Sequence, residues 1–380
     1  MKWLLISFTI QLLCWHSVSA HEVIRVGLFH DLNVQKVDIV VLKGTGTVRA
    51  GDSVWETKGS QTFQIRRAGD NLELVAGSKV IFRQAEFQLT GNASFEYRLR
   101  PEAKKSNQRI YRGNLTLTSF SGKVRMVMEL DTEDYVAGVI EAESGKGKLL
   151  EYYKVQAVIS RTYALNNLRR HQPEGFEVCD GTHCQVFHGK SQFEPLTYRA
   201  VDDTRDVVIV DSDIRLITAA FHSNCGGHTV NAEDVWSKPV SYLVGRRDTF
   251  CLKMPNSHWE KMIPLSEWKG YFAAKNILVT EDNLMCFTPE GKSAFFADSS
   301  YNLPARKVRE DFKLRSTFFT VLPDGEHVRL IGKGFGHGVG LCQEGAMVMA
   351  AYGYTYRDII HYYYKDVHLI PRDYIRFFEE

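Results

Sequence analysis

Apolar and polar residues alternate along much of the first third of the chain. The runs at 23–29 (VIRVGLF), 37–42 (VDIVVL) and 79–82 (KVIF) have the two-residue period of half-buried strands. Between such runs, Gly69-Asp70-Asn71 and Gly91-Asn92 supply turn tips. A further run at 109–117 continues the pattern, so residues 23 to about 128 predict β structure. The period then changes. Residues 134–143 predict a helix, capped by Asp131 or Thr132 and broken by Ser144-Gly145-Lys146-Gly147. Leu150, Tyr153, Ala157, Ala164, Leu165 and Leu168 recur near helical spacing and predict a second helix over 148–170. Two buried strands follow at 207–210 and 216–221, then a short helix at 266–274 and strands around 316–331. A helix over 341–352 carries Gly353 at its C-terminal cap position, and a last helix covers 356–364. The expectation is an α+β fold with β-rich regions flanking a helical pair.

The first twenty residues fit no globular element. Lys2 precedes an apolar run over 3–15, and Val18-Ser19-Ala20 ends it with small residues before His21. This is the layout of a secretory signal peptide, with a core too short to span a bilayer comfortably. The chain is therefore expected to be exported to the periplasm or cell envelope. A β-rich region over 21–110 and a second, mixed domain over 111–370 are expected to follow the 1–20 leader.

Composition narrows the function classes. With 380 residues, 44% hydrophobic and 24% charged, the chain can bury a sizeable core. A formal net charge of +2, without a basic stripe interleaved with aromatics, argues against a nucleic-acid partner. Six of the seven cysteines lie beyond the leader, at 179, 184, 225, 251, 286 and 342. Outside the cytosol an even set permits disulfides, and the plain expectation is one bridge, Cys225 to Cys251, plus buried thiols.

Four segments carry candidate chemistry. They are D-Y-V-A-G-V-I-E-A-E (134–143) with K-V-Q-A-V-I-S-R-T-Y-A-L (154–165); C-D-G-T-H-C-Q-V-F (179–187); F-H-S-N-C-G-G-H-T (221–229); and G-K-G-F-G-H-G-V-G-L-C-Q-E-G-A (332–346). In this order and spacing they resemble the stage II sporulation protein D (SpoIID/LytB) family. Its members carry E-D-Y-[LV]-x-G-V-[VI]-x-x-E-M, A-Q-A-x-x-x-R-T-Y, C-D-x-T-x-C-Q-V, S-x-C-G-G-x-T and G-H-G-V-G-[ML]-S-Q-x-G-A. The resemblance spans roughly residues 110 to 365. It implies peptidoglycan lytic transglycosylase activity, mainly on glycan strands stripped of stem peptides. Some members are known instead as enhancers of a partner cell-wall amidase.

The resemblance assigns Glu143 as the catalytic acid. Its own context shows a carboxylate at a helix end before a Gly-rich break, on a different side of the helix from Glu141. One carboxylate suffices where the sugar's own 6-hydroxyl is the nucleophile, whereas hydrolytic glycosidases use two. Such an acid needs an apolar setting that raises its pKa, to which Tyr135, Val139, Tyr152 and Tyr153 are expected to contribute. One departure stands out. The family continues E-M-P, but this chain has Glu143-Ser144-Gly145, which implies a looser segment after the acid.

The remaining candidates carry two readings each. His171, Cys179, His183 and Cys184 suit a tetrahedral structural zinc, with a Cys179–Cys184 disulfide or free thiols as alternatives. No H-E-x-x-H is present, which argues against a catalytic zinc, and no cofactor is expected for catalysis. His337 and Gln343 line the saccharide cleft, or their glycine-rich loop simply permits tight backbone approach. Ser223, Asn224, Gly226 and Gly227 form a turn presenting amides to sugar hydroxyls, or a structural turn. Gln156, Arg161 and Tyr163 contact substrate or orient Glu143; alternatively Arg161 pairs with a buried acid such as Asp134.

Overall fold

The computed structural model describes residues 23–102, 109–192, 195–236, 238–280, 284–289, 291–297 and 299–375. The expected signal peptide over 1–20 lies outside them.

Twelve strands come first: β1 (Val23–Leu28), β2 (Lys36–Lys43), β3 (Thr45–Ala50), β4 (Ser53–Lys58), β5 (Thr62–Ala68), β6 (Asn71–Ala76), β7 (Lys79–Gln84), β8 (Glu86–Gly91), β9 (Glu96–Pro101), β10 (Arg109–Tyr111), β11 (Asn114–Phe120) and β12 (Lys123–Asp131). Helices α1 (Thr132–Ser144) and α2 (Leu150–Asn166) follow. Then come β13 (Val178–Cys179), α3 (Pro195–Asp203), β14 (Val207–Val210), β15 (Phe221–His222) and α4 (Glu233–Trp236). The last part holds β16 (His258–Pro264), α5 (Leu265–Ala273), α6 (Ala305–Asp311), β17 (Phe319–Asp324), β18 (His327–Lys333), β19 (Leu341–Cys342), α7 (Gln343–Ala351), α8 (Tyr356–Tyr363) and β20 (His368–Pro371). The fold is α+β.

Two sheets account for the first thirteen strands, in the orders β13-β1-β12-β11-β8-β3-β4 and β10-β9-β2-β5-β6-β7. Their alternation is what the sequence pattern predicts: β12 buries Val124, Met126, Met128 and Leu130 and turns the intervening residues outward. The turn at Gly69-Asp70 joins β5 to β6, and Gly91 ends β8. The run at 109–117 is not one strand. Gly113, at φ +124°, breaks it, and the pieces join different sheets, β10 on β9 and β11 between β8 and β12.

β1 ties the early strands to the motif region. It pairs antiparallel with β12 along its length and in parallel with β13, where Gly27 opposes Cys179. One apolar core runs continuously from Ile24 to Val367. A second core, from Trp259 to Leu330, packs α5 and α6 around the three-stranded sheet β16-β18-β17. Among the described residues no helix is long and apolar enough to cross a membrane.

α1 is buried almost all round, from Tyr135 through Ile140, as befits a helix enclosed by other elements. Asp131 caps it, its carboxylate accepting from the amides of Glu133 and Asp134. Gly138 is required by packing. A Cβ there would lie 2.3 Å from the carbonyl oxygen of Gly189 and 2.6 Å from the Phe187 ring. Only glycine lets the 186–189 segment cross the helix this closely.

Candidate active site and metal centre

Glu143 sits in the last turn of α1, half-buried, and its Oε1 accepts the Val186 amide at 2.8 Å. Burial raises its pKa above the ordinary glutamate value, while the Val186 N–H pulls the other way. Tyr135, Val139, Tyr152 and Tyr153 are all fully buried. Burial chiefly, and the nearby Glu143 charge in smaller part, push up the hydroxyl pKa values of Tyr135 and Tyr152. Tyr163, half-buried, is raised to about 12, again by burial first and with Glu143 contributing. Glu141 is occupied elsewhere: its Oε2 accepts from the Ser191 hydroxyl at 2.7 Å and the Gln192 amide at 3.1 Å.

The segment after the acid is held rather than loose. Tyr153 donates to the Gly145 carbonyl at 2.9 Å and accepts from the Lys148 amide at 3.2 Å, which staples both sides of the break. Gly145 and Gly147 both adopt positive φ, so the backbone turns without Met-Pro.

The loop that meets Glu143 carries the metal candidates. His183 Nδ1 lies 3.3 Å from His171 Nε2 and 3.9 Å from both Cys179 Sγ and Cys184 Sγ; Cys184 Sγ lies 3.5 Å from His171 Nε2. A tetrahedral zinc bonded at ~2.05 Å to nitrogen and ~2.3 Å to sulfur spaces its ligand atoms roughly 3.3–3.8 Å apart. The separations of 3.3–3.9 Å, with all four ligand atoms within 4.8 Å of one another, suit such a cage. Glu174 adds a carboxylate on the far nitrogen of His171, at 2.6 Å, and also reaches His30 Nε2 at 2.9 Å. Such carboxylate–histidine contacts orient metal-bound imidazoles. Sequence reasoning missed Glu174; its signal was the three-residue offset from His171. Asp180 anchors the same loop to β1, accepting from the Phe29 amide and pairing with Arg109 at 2.5 Å.

Arg161 is not positioned to meet substrate. It is fully buried, its guanidinium fork grips Glu133 through Nε at 2.7 Å and Nη2 at 2.5 Å, and Nη1 donates to the Val207 carbonyl at 3.0 Å. The acid it pairs with is Glu133 rather than Asp134, because Glu133 is the one turned inward on the first turn of α1. Gln156 is also wholly buried, and both of its amide atoms lack a hydrogen-bond partner among the described residues.

The third and fourth motifs interlock. Asn224 and Phe335 exchange backbone hydrogen bonds at 3.0 and 2.8 Å. Gly226, at φ +71°, would place a Cβ 2.9 Å from the carbonyl carbon of Lys333. The Asn224 amide is spent internally on Glu344 Oε2, the Cys251 carbonyl and the Gly226 N–H. Asn224 and Gly226 thus bind two segments of this chain together. Ser223 accepts from Asn256 Nδ2, and the Gly227 carbonyl accepts the Asp248 amide. Gln343, the first residue of α7, is nearly buried with its Nε2 unpaired among the described residues.

His337 faces a cavity of ≈ 610 Å³ that also involves Thr182 of the metal loop, Trp236, Arg306, Arg309 and Lys313. Its ring lies 5.5 Å from His222 and 5.4 Å from the exposed Trp236. Burial lowers the His337 pKa to about 4, and its Nδ1 accepts the Val339 amide at 3.0 Å, so the ring is neutral with Nε2 protonated. Glu143 and Tyr163 therefore each contact the 179–186 loop, and His337 faces a cavity that the same loop borders.

The expected Cys225–Cys251 bridge is not formed. The two sulfurs lie 3.3 Å apart, against ~2.05 Å for a disulfide bond, and both cysteines are free.

Comparison with known proteins follows this geometry. A family model described as SpoIID, stage II sporulation protein, matches residues 120–210, the stretch holding β12, α1, α2 and the metal loop. The chain is 31% identical over 267 residues to an uncharacterised protein of Brachyspira hyodysenteriae, covering 68% of this chain and 72% of that one. It is 28% identical over 263 residues to stage II sporulation protein D of Bacillus subtilis, covering 65% and 76%. It is also 30% identical over 282 residues to the amidase enhancer of Bacillus subtilis, covering 60% of this chain and 39% of that protein.

Proposed function

The chain belongs to the SpoIID/LytB family of stage II sporulation protein D, and from that premise we propose that it is an exported lytic transglycosylase of cell-wall peptidoglycan. The family and the amidase-enhancer relative support a cell-wall role. The observation that carries the enzymatic reading is Glu143 at the end of α1, its pKa raised by burial while the neighbouring Glu141 is engaged by Ser191 and Gln192.

In this reading Glu143 begins protonated, held through Oε1 by the Val186 N–H. It gives its proton to the glycosidic oxygen as the bond to the anomeric carbon breaks. The resulting carboxylate then takes the proton of the sugar's own 6-hydroxyl, whose oxygen closes on the anomeric carbon. The acid is regenerated, no water is consumed, and the product ends in a 1,6-anhydro ring. A raised pKa lets one group serve both steps near neutral pH. The exposed Trp236 beside His337 suits stacking against a sugar face, and the unpaired amide groups of the buried Gln156 and the nearly buried Gln343 suit ordered water.

A zinc on His171, Cys179, His183 and Cys184 would supply structure: it would fix the loop whose Val186 amide holds Glu143. No proton transfer needs it.

The test is mass spectrometry of glycan strands lacking stem peptides after digestion by wild type and Glu143→Gln. Wild type is expected to release anhydro-ended fragments and the variant essentially none. The second reading is a non-catalytic peptidoglycan-binding enhancer of an amidase, supported by the enhancer relative. It predicts no anhydro products from either protein, and stimulation of an added amidase that survives Glu143→Gln.

A further inference from the structure

Behind the interlocked third and fourth motifs lies a cluster that the proposed reaction does not use. Cys225, Asp248, Cys251 and Cys342 are all buried, and their ligand-type atoms lie within 4.8 Å of one another. Cys225 Sγ is 3.3 Å from Cys251 Sγ and 3.3 Å from Asp248 Oδ2. We propose that these four side chains form a second metal site, taking one structural zinc ion through three thiolates and a carboxylate.

Four observations support the site. Three sulfurs and a carboxylate oxygen converging in the buried interior are the donor set of a closed, four-coordinate zinc centre. The sulfur of Cys342 accepts two backbone amides, Cys225 N–H at 3.3 Å and Gly345 N–H at 3.4 Å, which fix its position in the cluster. Asp248 is oriented for the role by the Phe250 amide on Oδ1 and the Tyr363 hydroxyl on Oδ2, at 3.0 and 2.9 Å. Lys292 brings a positive charge to the Cys225 carbonyl at 2.8 Å, which offsets the net negative charge of such a complex.

The surroundings of the cluster are tightly packed. Gly345 has no side chain where a Cβ would lie 2.1 Å from the Tyr363 hydroxyl and 2.5 Å from Asp248 Oδ2. The four ligands come from the 221–229 motif, the 248–251 turn and the start of α7. A metal there would clamp the glycine-rich loop and α7 to the rest of the core, independently of the His171 cluster.

The competing outcome is oxidation. A Cys225–Cys251 disulfide would release two protons and two electrons to an oxidant and leave Cys342 and Asp248 without a shared partner.

The test begins with unmodified protein, purified with zinc present and without chelator, and needs no variant. Elemental analysis is expected to give about two zinc ions per chain, one for each cluster. Cys225, Cys251 and Cys342 should resist alkylation until the protein is unfolded with chelator. In a Cys179→Ser background about one zinc should remain, and adding Cys342→Ser should remove it. Cobalt substitution of that background should give thiolate-to-metal absorption. A Cys225–Cys251-linked peptide lighter by two hydrogens would overturn the proposal. So would wild-type zinc content that Cys342→Ser leaves unchanged, or no zinc retained in the Cys179→Ser protein while its cysteines are freely alkylated.

Discussion

Truncating Arg161 to alanine tests the assignment of that residue as an internal clamp. The side chain is fully buried, and Glu133 is only 8% exposed, so Arg161→Ala strands a carboxylate inside the protein and removes three hydrogen bonds, two to Glu133 and one to the Val207 carbonyl. Breaking a buried pair by deleting one partner costs about 3–5 kcal/mol. Replacing both charges together is different, because no charge is then left unpaired. Glu133→Leu with Arg161→Met is expected to fall within about 1–2 kcal/mol of wild type, the residual coming mainly from the unpartnered Val207 carbonyl. The assay is urea unfolding followed by tryptophan fluorescence. With a slope near 3 kcal/mol per molar urea, the single variant should move the midpoint down by roughly 1–1.7 M. The double variant should move it by much less and retain any glycan cleavage. A single variant costing under about 1 kcal/mol, or a stable double variant that has lost turnover, would refute the clamp and return Arg161 to the substrate.

The other predictions concern the acid, its loop and the histidines. Because burial raises the Glu143 pKa, cleavage should persist above the ordinary glutamate range near 4.3 and fall on the alkaline side as the acid ionises. The same shift makes wild type less stable than Glu143→Gln once pH rises above the unfolded-state value, and equal to it below; thermal melts across that range check the sign. Gly138→Ala drives a methyl into Gly189 and Phe187 and should cost about 1–3 kcal/mol or more while lowering turnover, read by melting temperature and product yield. Glu174→Gln weakens the hold on His171 and should reduce zinc affinity about 10–100-fold in a chelator competition. His337, lowered to about 4 by burial, should drain stability as pH falls from about 6.5 towards 4, a slope that His337→Gln flattens.

The motifs were legible because chemistry confines them to short segments. The pairing of E-D-Y with R-T-Y along two successive helices, and the cysteine–histidine loop, could be read before any coordinates. What the sequence could not say was which acid Arg161 reaches, since Glu133 and Asp134 are adjacent and only the docking of α1 turns one inward. The run at 109–117 read as one strand because alternation is local, whereas its division between two sheets depends on partners distant in sequence. Across 255–330 the helix near 266–274 and the strands around 316–331 could be read, but not how they pack: their core is assembled from short elements with aromatic contacts across many loops.

The sequence by itself determined most element types, the turn positions and the family, because these follow from local period, capping chemistry and contiguous motifs. Tertiary structure alone decided the environment of each group. Val186 reaches Glu143, Tyr153 staples the Gly-rich break, and four ligands from three separate segments meet around Cys225. Burial and proximity set pKa values and ligand geometry, and both are properties of packing between segments far apart in the chain.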